Sequence, residues 1–307
     1  MQESIMLFFL KVANPVLDTV ANLVTMFGEE SFVIAFILFI FYNYNKKSGF
    51  ILFSSTLYSV VAMGVLKAIV RAPRPFQVLE SIKGKRVQTA TGYSFPSGHT
   101  TTAAASYTSL ALIFQKRIVS ILSALLIALI GISRLYLGVH WPNDVFGGLV
   151  LGASISMLAY RPLSMLYDDR KKRITVNSII GAVSFAAALI LAILLNLHTI
   201  DEVAFIDLMK VLALGGGGFL GFVFENRRVN FSVDGTWTKK IVRYLIGMAG
   251  VVAVMAAKAL IPTSLYAFGS FVRYALIGLW ATGLFPLIGT SLCLFSGDRS
   301  SSPRSPT

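Results

Sequence analysis

A single cysteine, Cys293, in a chain of 307 residues excludes a disulfide framework and any thiolate metal site. Its place in an apolar run marks it as a small packing residue. Charge is scarce as well: 13% of residues are charged against 55% hydrophobic. A soluble domain of this length does not hide so much apolar surface in one core, so most of the solvent is lipid. Acidic residues are the rarer sign, 14 against 27 Lys and Arg, for a net charge of +13. The basic residues lie between apolar segments and form no continuous stripe beside aromatics, which argues against nucleic-acid binding. No internal repeat is present. The first apolar stretch is interrupted by Lys11, Asn14, Pro15 and Asp18 and carries no small-residue cleavage pattern, so no removable signal peptide is expected.

What is present is a series of apolar segments. Residues 4–27 read as an amphipathic, interfacial helix. Spans are expected near 31–45, 50–70, 100–114, 118–137, 144–160, 174–195, 203–224, 241–261 and 270–295. That makes nine, or eight if the polar-flanked segment 203–224 does not cross. Basic pairs and clusters recur at every second connection: Lys46-Lys47, Lys116-Arg117, Arg170 to Arg173, Arg227-Arg228 and Lys239-Lys240. Placing these on the cytoplasmic side puts 71–98, 138–143 and 196–202 on the outer face. Loop 71–98 is itself basic, an exception that asks for a function.

The expected organisation is a membrane core over 1–160 with 1–27 interfacial, a basic cytoplasmic linker over 161–173, a second transmembrane block over 174–295 and a disordered tail over 296–307. The tail is rich in Ser, Pro and Arg without apolar content. The four-glycine run Gly215 to Gly218 is read as close helix packing, since no Lys-Ser/Thr follows it to make a phosphate loop. The basic, amphipathic stretch from Phe224 to Phe231, with Trp237 and Lys239, is expected to lie on the anionic cytoplasmic leaflet.

Three short segments carry chemistry. Lys67 and Arg74-Pro75 end one apolar helix, Pro96-Ser97-Gly98-His99 opens the next, and Ser133-Arg134, His140 and Asp144 lie around a later turn. The loop orientation brings all three to the outer face. Three cations, Lys67, Arg74 and Arg134, facing two histidines are costly near a membrane unless an anion neutralises them. Guanidinium forks match phosphate oxygens, and lysine adds a point charge. Ser97 is a candidate N-cap, the backbone N–H groups behind it form an anion site, and Gly98 allows close approach.

The histidines supply reactivity. Pro142 favours a helix start, so Asp144 falls in the first turn, within reach of one imidazole nitrogen of His140. That contact fixes the tautomer and leaves the other nitrogen as a nucleophile. His99 can protonate the leaving oxygen and then activate water. The pattern implies displacement at phosphorus through a phosphohistidine, with the cations in place of a metal. His198, alone at a helix end, is read as structural, and Arg71 as an interfacial side chain.

The segments K-x6-RP, PSGH and SR-x5-H-x3-D resemble the three motifs of the type 2 phosphatidic acid phosphatase family, related to vanadium haloperoxidases. Every fixed position is present over roughly residues 30–160. The resemblance implies an all-α, polytopic helical bundle of eight to nine spans, with a phosphatase core and a C-terminal helical extension. It assigns phosphate binding to Lys67, Arg74, Ser97, Gly98 and Arg134. It makes His140 the nucleophile, His99 the acid and base, and Asp144 the group that orients His140. The expected activity is hydrolysis of a lipid phosphate or diphosphate: isoprenyl diphosphate, phosphatidylglycerophosphate, phosphatidate or a lipid A type. No metal or cofactor is expected, and the partners are the substrate and membrane lipids. The expected location is a bacterial cytoplasmic membrane with the site on its periplasmic face. A phosphotransferase using the same site is the near alternative. A phosphate- or lipid-binding transporter is the distant one, its only intramembrane charges being Lys210 and Lys258. Loop 76–95 is a candidate headgroup-selecting lid.

Overall fold

The computed structural model describes residues 2–297. The polypeptide is a bundle of helices: α1 (Gln2–Lys11), α2 (Pro15–Met26), α3 (Glu30–Asn43), α4 (Lys46–Val70), the short α5 (Pro75–Val78), α6 (Gly98–Phe114), α7 (Arg117–Tyr136) and α8 (Pro142–Asp168). Then follow α9 (Arg170–Asn196), α10 (Glu202–Phe224), α11 (Trp237–Ala256), α12 (Tyr266–Leu279) and α13 (Phe285–Ser291). Starts are set by side-chain caps: Asn14 accepts from Val16 and Leu17 N–H, Asn45 from Ser48, and Asp201 from Val203.

Among the described residues, seven helices are long and apolar enough to cross a membrane, or eight if α2 and α3, bent by 46°, form one broken span. The difference from the expected count has two sources. Residues 4–27 fold as two helices, and α2 continues into α3 rather than lying apart. Helix α6 has 17 residues, about 25 Å of rise, just short of a full span. Segment 203–224, the one expected to be doubtful, does qualify, within Glu202–Val229. The last segment starts at Tyr266 and is interrupted by a π turn at Trp280–Leu284 before α13.

The lipid-facing surface is visible on α7. Ile118, Ile121, Leu122, Leu125, Leu129 and Ile132 are exposed at helical spacing, a stripe that only a hydrocarbon solvent accommodates. Its opposite face, with Ser123, Ile127, Ile130, Gly131 and Arg134, is buried. Helix α6 inserts between α7, α8 and α4. A Cβ at Gly152 of α8 would fall 2.4 Å from the Thr101 carbonyl oxygen, and one at Gly148 would fall 2.8 Å from that of Ser97. Glycine there lets the backbones of α6 and α8 touch, which brings the N-termini of both helices side by side.

The run Gly215 to Gly218 on α10 is likewise a contact surface. A Cβ at Gly217 would lie 2.0 Å from the Ala275 carbonyl oxygen of α12, and one at Gly216 would lie 2.8 Å from Phe185 N of α9. An aromatic cluster of Phe41, Tyr42, Phe50, Phe219, Phe222 and Phe285 joins α3 and α4 to the C-terminal helices. The Tyr42 hydroxyl there donates to the Ala281 carbonyl.

Four expectations are corrected. The stretch from Phe224 to Phe231 does not lie on a leaflet surface, because Glu225, Asn226 and Phe231 are buried. Lys46 donates to Glu225 at 2.7 Å, and Phe231–Ser232 pair as a short antiparallel ladder with Ser296–Gly297. Arg227, Arg228, Trp237 and Lys239 remain exposed there. The tail begins in that ladder, and 298–307 lie outside the described residues. Residues 161–173 form no separate linker: α8 runs through Pro162 to Asp168, and α9 starts after one residue, capped by Asp169. Cys293 is exposed with a left-handed φ of 56°, so it does not pack inside.

Candidate active site

The end of α4, the start of α6, the end of α7 and the start of α8 all lie at one end of the bundle, and there the structure gathers the sequence-predicted residues. Arg74, Ser97, Arg134, His140 and Asp144 are at most 2% exposed and Lys67 is 7% exposed. Three cations so deeply buried form an unusual cluster, since each carries a desolvation cost of several kcal/mol.

Pro142 opens α8 and sets Asp144 in its first turn. Asp144 Oδ2 lies 3.3 Å from His140 Nδ1 and accepts the Trp141 backbone N–H at 2.8 Å and the Ser94 hydroxyl. Three donors on one oxygen fix the carboxylate, and the carboxylate fixes the imidazole with its proton on Nδ1. Nε2 is then the acceptor, and it faces Arg74 Nη1 at 3.2 Å. Burial, then the charges of Arg74, Lys67 and Arg134, hold the His140 pKa well below the ordinary histidine value. The imidazole is therefore neutral, with its unprotonated nitrogen turned toward a guanidinium.

The cations differ in their partners. Arg74 donates to the carbonyls of Thr91, Gly92, Tyr93 and Val139, and Lys67 donates to that of Tyr93. Both brace the loop that covers the site. Arg134 donates through Nη1 to Thr25 Oγ1 at 2.9 Å, while its Nε and Nη2 are buried with no hydrogen-bond partner. His99 Nε2 is buried and makes no hydrogen bond, its ion-pair neighbour Glu29 Oε1 lying 3.9 Å away. Buried unpaired guanidinium donors of this kind are rare and costly, and here they lie beside His140.

Ser97 is the N-cap residue of α6, yet its side chain does not cap. Its Oγ accepts from the Thr100 hydroxyl at 3.0 Å, while its N–H donates to the Asp144 carbonyl at 2.9 Å. That backbone bond ties α6 directly to α8. A Cβ at Gly98 would meet only Met63 Sδ at 3.5 Å, so the glycine leaves room in front of the helix N-terminus.

Loop 76–95 is laced over this end. Arg86 pairs with Glu29 at 2.5 Å, Lys85 with Asp18, Thr91 Oγ1 donates to Asp207 at 2.7 Å, and Tyr93 donates to Asp201 at 2.8 Å. The loop thereby bridges α2, the α2–α3 break and α10. Arg71 takes a left-handed conformation that ends α4, with Nη1 3.9 Å from Asp201. His198, also left-handed and exposed, closes α9 away from the cluster.

Sequence reasoning missed Thr25, Glu29, Ser94 and Asp207. Their partners are 109, 70, 50 and 116 positions away, and nothing local marks them. It also missed Asp207 and buried Arg273 as intramembrane charges. Lys210 pairs with Asp207 at 3.1 Å, and Lys258 sits in a terminal turn beside Tyr266.

Known proteins resemble parts of this chain. Residues 48–168 match the PAP2 superfamily, and residues 209–297 match the transmembrane extension of a PAP2 superfamily phosphatase. Lipid A 4'-phosphatase of Porphyromonas gingivalis is 30% identical over 167 residues, 49% of this chain and 67% of that protein. Undecaprenyl-diphosphatase of Sulfolobus acidocaldarius is 32% identical over 122 residues, 40% of this chain; the chain spans 58% of that relative's length. The crystal structure of a transmembrane PAP2 type phosphatidylglycerolphosphate phosphatase from Bacillus subtilis aligns with 52% of this chain and 82% of that one, at 29% identity and a TM-score of 0.45. By class this is a polytopic membrane phosphatase. The chain belongs to the PAP2 superfamily.

Proposed function

We propose that the chain hydrolyses a phosphate or diphosphate ester of a membrane lipid through a phosphohistidine on His140, at the outer face of a bacterial cytoplasmic membrane. One observation carries this reading: two unpaired guanidinium donors of Arg134 are buried beside a neutral His140 whose Nε2 faces a second guanidinium. Such a pocket is electrostatically incomplete without an anion bearing several acceptor oxygens.

In the proposed reaction the phosphoryl oxygens are held by Arg134, Arg74, Lys67 and the first-turn N–H groups of α6 behind Ser97 and Gly98. His140 Nε2 attacks phosphorus, the bond to the lipid oxygen breaks, and His99, which takes up a proton when the anionic phosphate binds beside it, gives that oxygen its proton. Positive charge appears on the imidazole, and Asp144 stabilises it across Nδ1–H. His99, now neutral, takes a proton from water, which attacks phosphorus, releases phosphate and restores His140. The basic pairs at alternate connections support the outward orientation.

The role of residues 1–160 as the catalytic unit and of 174–295 as its extension is part of the same proposal. A phosphotransferase would differ only in the second acceptor, a hydroxyl in place of water.

The test is phosphate release by the purified full-length protein in detergent, in excess EDTA, from isoprenyl diphosphate, phosphatidylglycerophosphate, phosphatidate and soluble phosphates. Release from at least one lipid, abolished by His140→Ala, is the expected result. No release from any of them overturns the function, and complete loss on chelation overturns the metal-free chemistry.

A further inference from the structure

A cavity of about 410 Å³ opens on the cluster just described. Lys67, Arg74, His99 and His140 form its mouth, and Phe41, Phe50 and Phe222 lie at its far end. Along α4 the wall is a helical stripe running from Lys67 through Met63, Val60 and Leu57 to Phe53 and Gly49. From Lys67 to Gly49 the helix rises about 27 Å, close to the roughly 30 Å of a bilayer's hydrocarbon core. The facing wall comes from the C-terminal block: Leu208, Val211 and Leu214 on α10, and Ile277 and Gly278 on α12.

Charge on these walls is confined to the mouth. Glu30 and the pair Asp207–Lys210 sit at the level of the covering loop, where Thr91 reaches Asp207. Beyond them the lining is aliphatic and aromatic but for Thr56 and Thr282. A cleft polar at one end, apolar for the depth of a membrane and continuous with the phosphate-binding cluster has the form of an amphiphile with one charged head and one long chain.

We infer that this cleft between the core helices α3 and α4 and the extension helices α10 and α12 takes a hydrocarbon chain of the substrate, so that the extension selects the lipid by its chain while the core motifs process its phosphate. This inference rests on the proposed phosphatase activity for its headgroup end only. It gives the C-terminal block a function: α10 and α12 close a groove that α3 and α4 would otherwise leave open to the bilayer.

Two measurements on the full-length protein in detergent test it. The first is kcat/KM for straight-chain alkyl phosphates of increasing length below their micelle concentrations. Each methylene that leaves water for the cleft raises kcat/KM by up to about fourfold. In Val211→Trp, whose indole would cross the cleft, the rise stops at chains short enough to end before that position. A series that climbs in parallel with the wild type overturns the inference.

The second is photolabelling of the wild-type protein with an alkyl phosphate carrying a diazirine at its chain end. It needs no turnover and does not depend on the variant folding. Label on α10 and α12 peptides, displaced by excess inorganic phosphate, is expected. Label confined to lipid-facing residues such as Ile121 and Leu125, or label on the cleft that phosphate does not displace, overturns the inference. The latter outcome identifies the occupant as a bilayer lipid. Phosphate-displaceable label on α10 and α12 without hydrolysis of any alkyl phosphate leaves the cleft assignment standing and removes the phosphatase reading instead.

Discussion

Replacing Asp144 by asparagine separates what this carboxylate does for structure from what it does for chemistry. Its Oδ2 accepts from Trp141 N–H, from the Ser94 hydroxyl and from the His140 ring. An amide oxygen in the same place can keep all three hydrogen bonds, so Asp144→Asn is expected to fold with α8 still capped. What is lost is negative charge 3.3 Å from a ring that becomes positive when its other nitrogen attacks phosphorus. At an effective dielectric near 20, two unit charges at that separation interact by about 5 kcal/mol. At about 1.4 kcal/mol per decade this is between three and four decades in rate. Loss of charge assistance in the hydrogen bond alone would account for only about 1 to 2 kcal/mol, so the Coulomb term decides the outcome.

The interaction is stronger in the transition state than with the neutral ring, so the deficit falls on kcat with KM little changed. Phosphate release from a hydrolysed lipid phosphate, with thermal melting as the control for folding, measures it. A loss of less than tenfold in a normally melting variant would show that the His140 ring gains no charge beside Asp144. The nucleophile assignment would then fail.

Arg134→Ala removes the two unpaired guanidinium donors and is expected to lower kcat/KM by about two to four decades, at about 1.5–3 kcal/mol for each charge-assisted bond. Arg134→Lys should recover only part of this, because an ammonium cannot reproduce the planar fork; steady-state kinetics of both variants check the order. Because His140 stays neutral well below the ordinary histidine value near 6.5, its protonation should place no acid limb in kcat/KM near that pH. The pH profile should show such a limb, if any, only at lower pH, and a His140-dependent limb at or above 6.5 would contradict the site's electrostatics. Gly152→Val would put side-chain atoms into the Thr101 carbonyl and force α6 from α8. An overpacking cost of about 1–3 kcal/mol is expected, read as a lowered melting temperature together with lost activity.

The candidate site of this chain is legible in sequence because it is built from residue types at fixed spacings near helix ends. Lys67 and Arg74, Ser97 to His99, and His140 with Asp144 are each local patterns, and the alternation of basic loops brings the segments to one side. The residues that complete the site have no such signature. Thr25 finds Arg134, and Glu29 finds His99, only because α2 packs on α7 and the α2–α3 break lies against α6. The same reason hid the fate of Glu225 and Phe231: their amphipathic pattern resembles a membrane-surface segment, but Lys46 and Phe295 come from far along the chain to enclose them. The cleft escaped notice because its walls are ordinary apolar helix faces, and a shared opening is a property of packing rather than of composition. Helix α6 reads as a short span for a physical reason too: enclosed by α4, α7 and α8, it meets little lipid and has no need of a long apolar face.

The central claim is the covalent intermediate, and the most direct test traps it. In His99→Ala, a labelled substrate with a good leaving group should phosphorylate the protein in a single burst, because the group that activates water for the second step is gone. The bound phosphate should be lost in acid and kept in base, as expected of a phosphohistidine, and should map to the peptide containing His140. Stoichiometric label on His140 is the predicted result. Label on another residue, or a full burst of free phosphate with no labelled protein at any time, would contradict the account.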